Sequence, residues 1–253
     1  AFYPDGNYFA LTAKGGDVAI PLQYKPMSST VADDLALEYS KDKILWTKAV
    51  TTTKDCQLPV LGAGQTYYFR KGLGEEGIRV QIAAATENNG TLEASGNVMS
   101  LRDRTMQSTE AGMSAFGELF MNCQLLTSAQ NLLLPATKLN QYSYAMMFKD
   151  CSNLTVGPAE LPATELAKQC YMQMFAGCTS LQSAITLPAT ELAEDCYQYM
   201  FAKCNSLTEI TLGATDISAP GCLSCWLQDA NSGGMVFIGD ELVDQISQLE
   251  LSP

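Results

Sequence analysis

Histidine is missing from all 253 residues. That one absence removes serine–histidine and cysteine–histidine catalysis, together with every histidine-ligated metal site. No run of 18 apolar residues occurs, so no segment reads as a membrane-spanning helix. Positive charge is scarce in one half. Residues 105–253 hold only Lys138, Lys149, Lys168 and Lys203 against 15 acids, a net −11, whereas residues 1–104 sum to −1. The acidic half repels phosphate backbones and anionic lipid surfaces, so nucleic acid is not expected as a partner; the same acidity serves solubility. The chain opens AFYPDGNY, without an initiator Met or a basic-then-apolar leader. Either a signal has been removed or the sequence starts downstream of one, and membrane attachment is expected only through a lipid anchor outside this chain.

What is present divides near residue 95. Up to there, short apolar stretches alternate with turn signals such as Gly15-Gly16, Lys41-Asp42 and Asn88-Asn89-Gly90. The expected strands are Tyr8–Ala13, Asp17–Leu22, Leu35–Ser40, Leu45–Ala49, Gln57–Val60, Thr66–Arg70 and Ile78–Ala83. Seven strands with no helical period between them predict an N-terminal all-β, Ig-like sandwich over 1–95, with the Trp46 indole packed inward from a hairpin. No Ig-type Cys–Trp–Cys spacing is present, so the term describes architecture alone. Gly90–Leu101 reads as the seam, with Val98, Met99 and Leu101 starting a new strand.

Residues 96–228 carry a repeat. LPATKLNQYSYAMMFKDCSNL, LPATELAKQCYMQMFAGCTSL and LPATELAEDCYQYMFAKCNSL follow one another from Leu134. Leu134 to Cys151, Leu161 to Cys178 and Leu187 to Cys204 are each 17 positions apart, and a Leu follows each Cys by three. The repeats run near 116–133, 134–160, 161–186 and 187–211, with a partial copy at 212–228 and a C-terminal cap at 229–253. A period of about 26 lies in the range of stacked leucine-rich repeats. Cys196, Met200, Phe201 and Cys204 sit at i, i+4, i+5 and i+8, which predicts a short helix packed on a strand through Leu207, Ile210 and Leu212. The expected fold is therefore mixed: the sandwich, then a right-handed leucine-rich-repeat solenoid with a strand and a short helix per repeat.

The pattern LPATxLAxxCYxxMFxxCxSL resembles the repeat of BspA-like leucine-rich surface proteins of Bacteroidetes, over roughly residues 90–230. The curved solenoid with a parallel sheet on one face is what that resemblance implies. So is a secreted or lipid-anchored, extracellular or cell-surface setting with a role in adhesion. Ser143 departs from the pattern where other copies have Cys170, Cys196 and Cys222, and Gly213 replaces the Pro of LPAT.

Three residue sets invite chemistry. Cys123, Cys151, Cys178 and Cys204 form one ladder, and Cys170, Cys196 and Cys222 a second. Equal positions in successive coils lie about 4.8 Å apart with parallel Cα–Cβ vectors, which suits buried thiol filler better than disulfides. Cys222-Leu-Ser-Cys225 supplies half a zinc site, so no metal and no cofactor are expected. Carboxylates such as Glu165, Glu191 and Glu194-Asp195 recur in register and read as solvated stripes, while catalytic carboxylates need unlike environments. Asp33-Asp34 and Asp240-Glu241 are too sparse for a calcium loop. Tyr144, Tyr171 and Tyr197 share one repeat position, with Tyr142 and Tyr199 nearby. They are the candidate binding stripe, or else rings that shield the helix–strand seam. The reading is a non-enzymatic surface binding or adhesion protein that engages a protein or carbohydrate ligand. The alternative is a structural spacer or assembly component of a surface complex.

Overall fold

The structure is a computed structural model that describes residues 6–20, 22–26, 37–52, 55–71, 78–82, 88–103 and 105–249. The first nine strands are β1 (Phe9–Lys14), β2 (Leu22–Pro26), β3 (Leu37–Ser40), β4 (Thr47–Lys48), β5 (Val50–Thr52), β6 (Asp55–Gln57), β7 (Thr66–Lys71), β8 (Ile78–Ile82) and β9 (Thr91–Asn97). The second part of the chain adds β10 (Glu110–Ala111), β11 (Leu126–Leu133), β12 (Lys138–Leu139), β13 (Ile185–Leu187), β14 (Glu209–Leu212) and β15 (Met235–Ile238). Leu35, Ala83, Asp33-Asp34 and the Cys56 side chain lie outside the described residues.

The N-terminal strands form a sheet ordered β11-β9-β1-β7-β3-β4 and a second ordered β5-β6-β2-β8. Alternation explains the first sheet: Leu92, Ala94 and Gly96 point one way along β9, and Phe9, Leu11 and Ala13 are buried on β1. Gly96 is required, because it takes φ 74° and a Cβ there would run into the Tyr8 carbonyl. Several expected strands shift. Among the described residues of Asp17–Leu22 there is only a bridge from Val18 to Leu61 before β2 begins, and Leu45 is exposed ahead of the two-residue β4. Trp46 does not enter the core: it is half-buried, its indole N–H on the Lys43 carbonyl at 3.1 Å. The presumed seam is the second strand of the larger sheet, since β9 pairs in parallel with β11 and antiparallel with β1. Val98–Leu101 is a 3-10 turn rather than a strand.

The expected fold class needs a correction in the repeats. No α-helix occurs among the described residues, so the leucine-rich solenoid of strand plus short helix is not what this sequence builds. Where the helix was expected, the chain runs as overlapping β-turns. In the coil around Tyr144, alternate N–H groups close turns inside the coil: Ala145 to the Tyr142 carbonyl, Met147 to Tyr144, Lys149 to Met146, Cys151 to Phe148. The intervening N–H groups reach the next coil: Tyr144 to the Cys170 carbonyl, Met146 to Met172, Phe148 to Met174 and Asp150 to Ala176, at 2.7–2.9 Å. A helix would spend every donor within its own segment; here half of them are spent on the neighbour.

Three left-handed residues per coil bend the ribbon. They are Ser114, Glu118 and Asn122, then Tyr142, Met146 and Asp150, then Gln169, Gln173 and Gly177, then Asp195, Tyr199 and Lys203, and finally Gly221, Cys225 and Asp229. Their spacing of four explains the misreading. Burial recurs every four residues (Cys170-Tyr171, Met174-Phe175, Cys178), and over eight residues a period of four matches a helical 3.6.

Parallel pairing joins the coils on the other side: β10 with β12, Lys138 with Glu165, Glu191 with Asp216, and β13-β14-β15 as a three-stranded sheet. The 3-10 turn Asp240–Gln248 follows, with Leu242 and Leu249 buried.

Candidate functional site

The tyrosine stripe is inside the protein. Tyr144, Tyr171 and Tyr197 are at most 1% exposed, and each ring stacks on the next at 5.7 and 5.9 Å. Phe116 heads the column, 5.5 Å from Tyr144. A binding role for these three side chains is therefore corrected. A ring repeated every coil at one register position falls directly beneath its copy, and two rings in contact over both faces have none left for a ligand. The phenol oxygen of Tyr197 is buried without a hydrogen-bond partner among the described residues.

Beside this column runs a second one. Phe120, Phe148, Phe175 and Phe201 stack at 5.3–5.7 Å with interplanar angles of 4–6°. At one end Phe9 of β1 meets Phe120 at 6.0 Å; at the other Trp226 meets Phe201 edge-on and donates its indole N–H to the Leu249 carbonyl at 2.6 Å. The FxxC spacing already carried this column. The last coil is one residue longer, so Leu227 and Ala230 take the places of Phe201 and Cys204, and Trp226, in register with Met200, closes the column edge-on instead of stacking in it.

The cysteines Cys123, Cys151, Cys178, Cys204, Cys170 and Cys196 are free thiols and buried; Cys222 is also buried and Cys225 half-buried. The first ladder has a role that spacing did not reveal. Cys151 Sγ donates to the Phe120 carbonyl at 2.9 Å, Cys178 Sγ to Phe148 at 3.0 Å and Cys204 Sγ to Phe175 at 3.1 Å, so each thiol ties its coil to the one before. Ser143 does equivalent work in the second ladder, its hydroxyl 2.9 Å from the Ala111 carbonyl. Burial drives the thiols away from ionisation: Cys123 is pushed up to about 11, and Cys170 and Cys204 up to about 12.

The carboxylates shift the other way. Glu110 is lowered first by its hydrogen bond from Asn140 and then by Lys138, and Asp216 by hydrogen bonds from Ser218. Burial works to raise Asp103, but hydrogen bonds from Thr105, Ser108 and Gln107 outweigh it, so the net shift is down. Lys168 pairs with Glu194 at 2.6 Å on the surface, and Glu165 and Glu191 are exposed. Among the described residues no group of three or more metal-ligating side chains converges.

The open relief lies on the turn face of the first coils. Ser114, Gly117, Glu118, Tyr142, Ala145, Met146 and Met172 line a shallow depression of about 310 Å³. Tyr142 and Met146 occupy left-handed positions, and both are partly exposed. Polar side chains also bridge neighbouring coils: Lys149 Nζ donates to Gln173 Oε1 at 2.7 Å. Tyr142 stood beside the expected stripe in the sequence, but only the turn geometry tells it apart from its buried neighbour Tyr144. No protein-family model matches the chain, and no curated protein or solved structure matches it.

Proposed function

We propose that this chain is a non-enzymatic binding protein of the cell surface, of the adhesive kind its repeat resembles. It engages a partner protein through the turn face of its coils. The observation that carries this reading is the depression lined by Tyr142, Met146 and Met172. Methionine adapts its shape to irregular partners, and a tyrosine at the rim combines an apolar ring with a polar tip. That mixture favours a polypeptide over a sugar as the ligand. The direction of the titration shifts supports binding over catalysis. A thiol nucleophile needs a lowered pKa and an acid catalyst a raised carboxyl. The shifted thiols here are raised and buried, and the shifted carboxylates are lowered.

The test is binding of the purified chain to immobilised extracellular-matrix and mucin fractions and to a glycan array. A Tyr142→Ser/Met146→Ser/Met172→Ser variant is expected to lose at least about tenfold in affinity for a matrix protein, the scale of one or two interface anchors. Its circular dichroism should stay unchanged. Equal binding by the variant sinks the turn-face reading, and loss confined to the glycan array moves the ligand to carbohydrate.

A further inference from the structure

Ile44 is 79% exposed and Leu45 74%, the highest exposures of any large hydrophobic side chains among the described residues. A single exposed leucine is ordinary, but two neighbours on a locked turn are not. They stand between β3 and β4. Asp42 Oδ1 accepts hydrogen bonds from the N–H groups of Ile44 and Leu45, both at 2.8 Å, and from Ser40 Oγ at 3.0 Å. Ser40 Oγ accepts from the Lys43 N–H at 2.9 Å, and Lys43 bends the chain at φ 63°. The turn is thus built to hold both aliphatic groups out in water.

The surroundings indicate the partner. Lys41 and Lys43 are exposed, resting 5.4 Å over the Tyr67 ring and 4.5 Å over the Tyr68 ring. One residue behind the tip, Trp46 is half-buried, with Tyr8 at 4.7 Å and the Arg70 guanidinium over its ring at 4.1 Å. Among the described residues the nearby acids are engaged: Asp42 by the turn's backbone, Glu38 by Arg70 at 2.6 Å. Aliphatic tip, indole collar and lysine flank follow the order in which side chains meet acyl chains, interface and headgroups at a bilayer. Topology supplies the orientation. β4 ends the six-stranded sheet, and β11, which lies in the first repeat, ends it on the opposite side. The tip therefore lies at the sheet edge opposite the one that the half carrying −11 contributes through β11.

From this arrangement we infer that the Lys41–Trp46 turn is a membrane-surface tip that docks on an anionic bilayer. Ile44 and Leu45 enter the acyl boundary, while Lys41 and Lys43 face the headgroup phosphates. Two aliphatic groups and two lysines give a reversible contact that orients the molecule and leaves the coils' turn face to its own partner.

The chain has two tryptophans. Trp226 is fully buried and gives a constant background, so Trp46 reports the tip. The probes are vesicles of phosphatidylglycerol mixed with phosphatidylcholine, and of phosphatidylcholine alone. Anionic vesicles should shift the Trp46 emission to the blue and sediment the protein. Ile44→Ser/Leu45→Ser should cut partitioning at least about tenfold, and Lys43→Ser about fivefold, with the lysine effect vanishing at high salt. Both changes touch exposed side chains, and unchanged melting of the variants checks their fold. No partitioning into anionic vesicles overturns the inference. So does equal partitioning by the Ile44→Ser/Leu45→Ser protein, or a loss in that protein of binding to a soluble protein with vesicles ignored throughout.

Discussion

A thiol or a phenol in this protein is worth most when it holds its proton. Cys151, Cys178 and Cys204 donate to carbonyls of the preceding coil and lie in an apolar interior, so ionising one loses a hydrogen bond and buries a charge. The sign for stability follows. Burial pushes Cys123 up to about 11 and Cys170 and Cys204 up to about 12 in the folded chain, against an ordinary 9.0. Above pH 9 the unfolded chain releases thiol protons that the folded chain keeps, so stability present below that pH is lost as pH rises toward 11–12. Each such thiol costs roughly 1.4 kcal/mol per pH unit. Three of them at pH 10 cost about 4 kcal/mol, a large share of the 5–15 kcal/mol typical of a folded protein. Thermal melts should be level from pH 6 to about 8.5 and fall steeply between 9 and 11. A midpoint unchanged at pH 11 would show that the thiols ionise in place without penalty. On the acid side, Asp103, Glu110 and Asp216 titrate low and lose their contribution only as pH falls through those lowered values. Glu110 and Asp216 sit at the surface, where screening keeps the effect small.

At the scale of the element, the turn ribbon and a helix make opposite demands on the same residue. Lys203 is exposed, sits at φ 61° and donates its N–H to the Gln228 carbonyl of the next coil. In a helix, Lys203→Gly would cost about 1 kcal/mol. In the left-handed position an L side chain already costs roughly 1–2 kcal/mol, which glycine removes while adding about 0.5–1 kcal/mol of unfolded-chain entropy. Lys203→Gly is therefore expected to leave urea stability unchanged or raise it by up to about 1 kcal/mol, and Lys203→Val to lower it by about 1–2 kcal/mol. The reverse order in equilibrium unfolding would favour a helix there. The chain itself writes glycine at two of these places, Gly177 and Gly221. That was the legible hint, since Gly177 replaces Asp150 and Lys203 inside otherwise matching copies. The register of the coils was readable because an equal spacing of 17 between Leu and Cys leaves little freedom in where copies superpose. The secondary structure was not, because a period of four and one of 3.6 bury the same residues over so short a run. The sequence leaves Tyr144 open between a binding stripe and a buried ring for a related reason: a repeat shows which residues stack, and hydroxyl-bearing rings look alike whether they stack inside or outside; burial decides for the inside.

Across the whole molecule, the sheets and the coils share their interior. β9 pairs with β11, the Ile82 and Leu92 N–H groups donate to the Leu119 and Leu125 carbonyls at 2.7 Å, and Gln81 Nε2 reaches the Met121 carbonyl at 2.9 Å. The aromatic column passes from Phe69 through Phe9 into Phe120, and one cluster of buried residues runs from Phe9 to Leu249. Stacked arrays often melt piecemeal, because each unit touches only its neighbours. Here the junction is as continuous as the stack, so both regions should unfold together. The two tryptophans make this measurable: Trp46 reads the sheet edge and Trp226 the last coil. In urea their emission changes are expected to share one midpoint. Phe120→Ala, which opens a void between Phe9 and Phe148, should cost about 3–5 kcal/mol. Both midpoints should then move down together by on the order of 1–2 M. If Phe120→Ala separates the two transitions, the junction is an interface between independent units. If they were already separate in the unsubstituted protein, the shared sheet joins the two regions without coupling them.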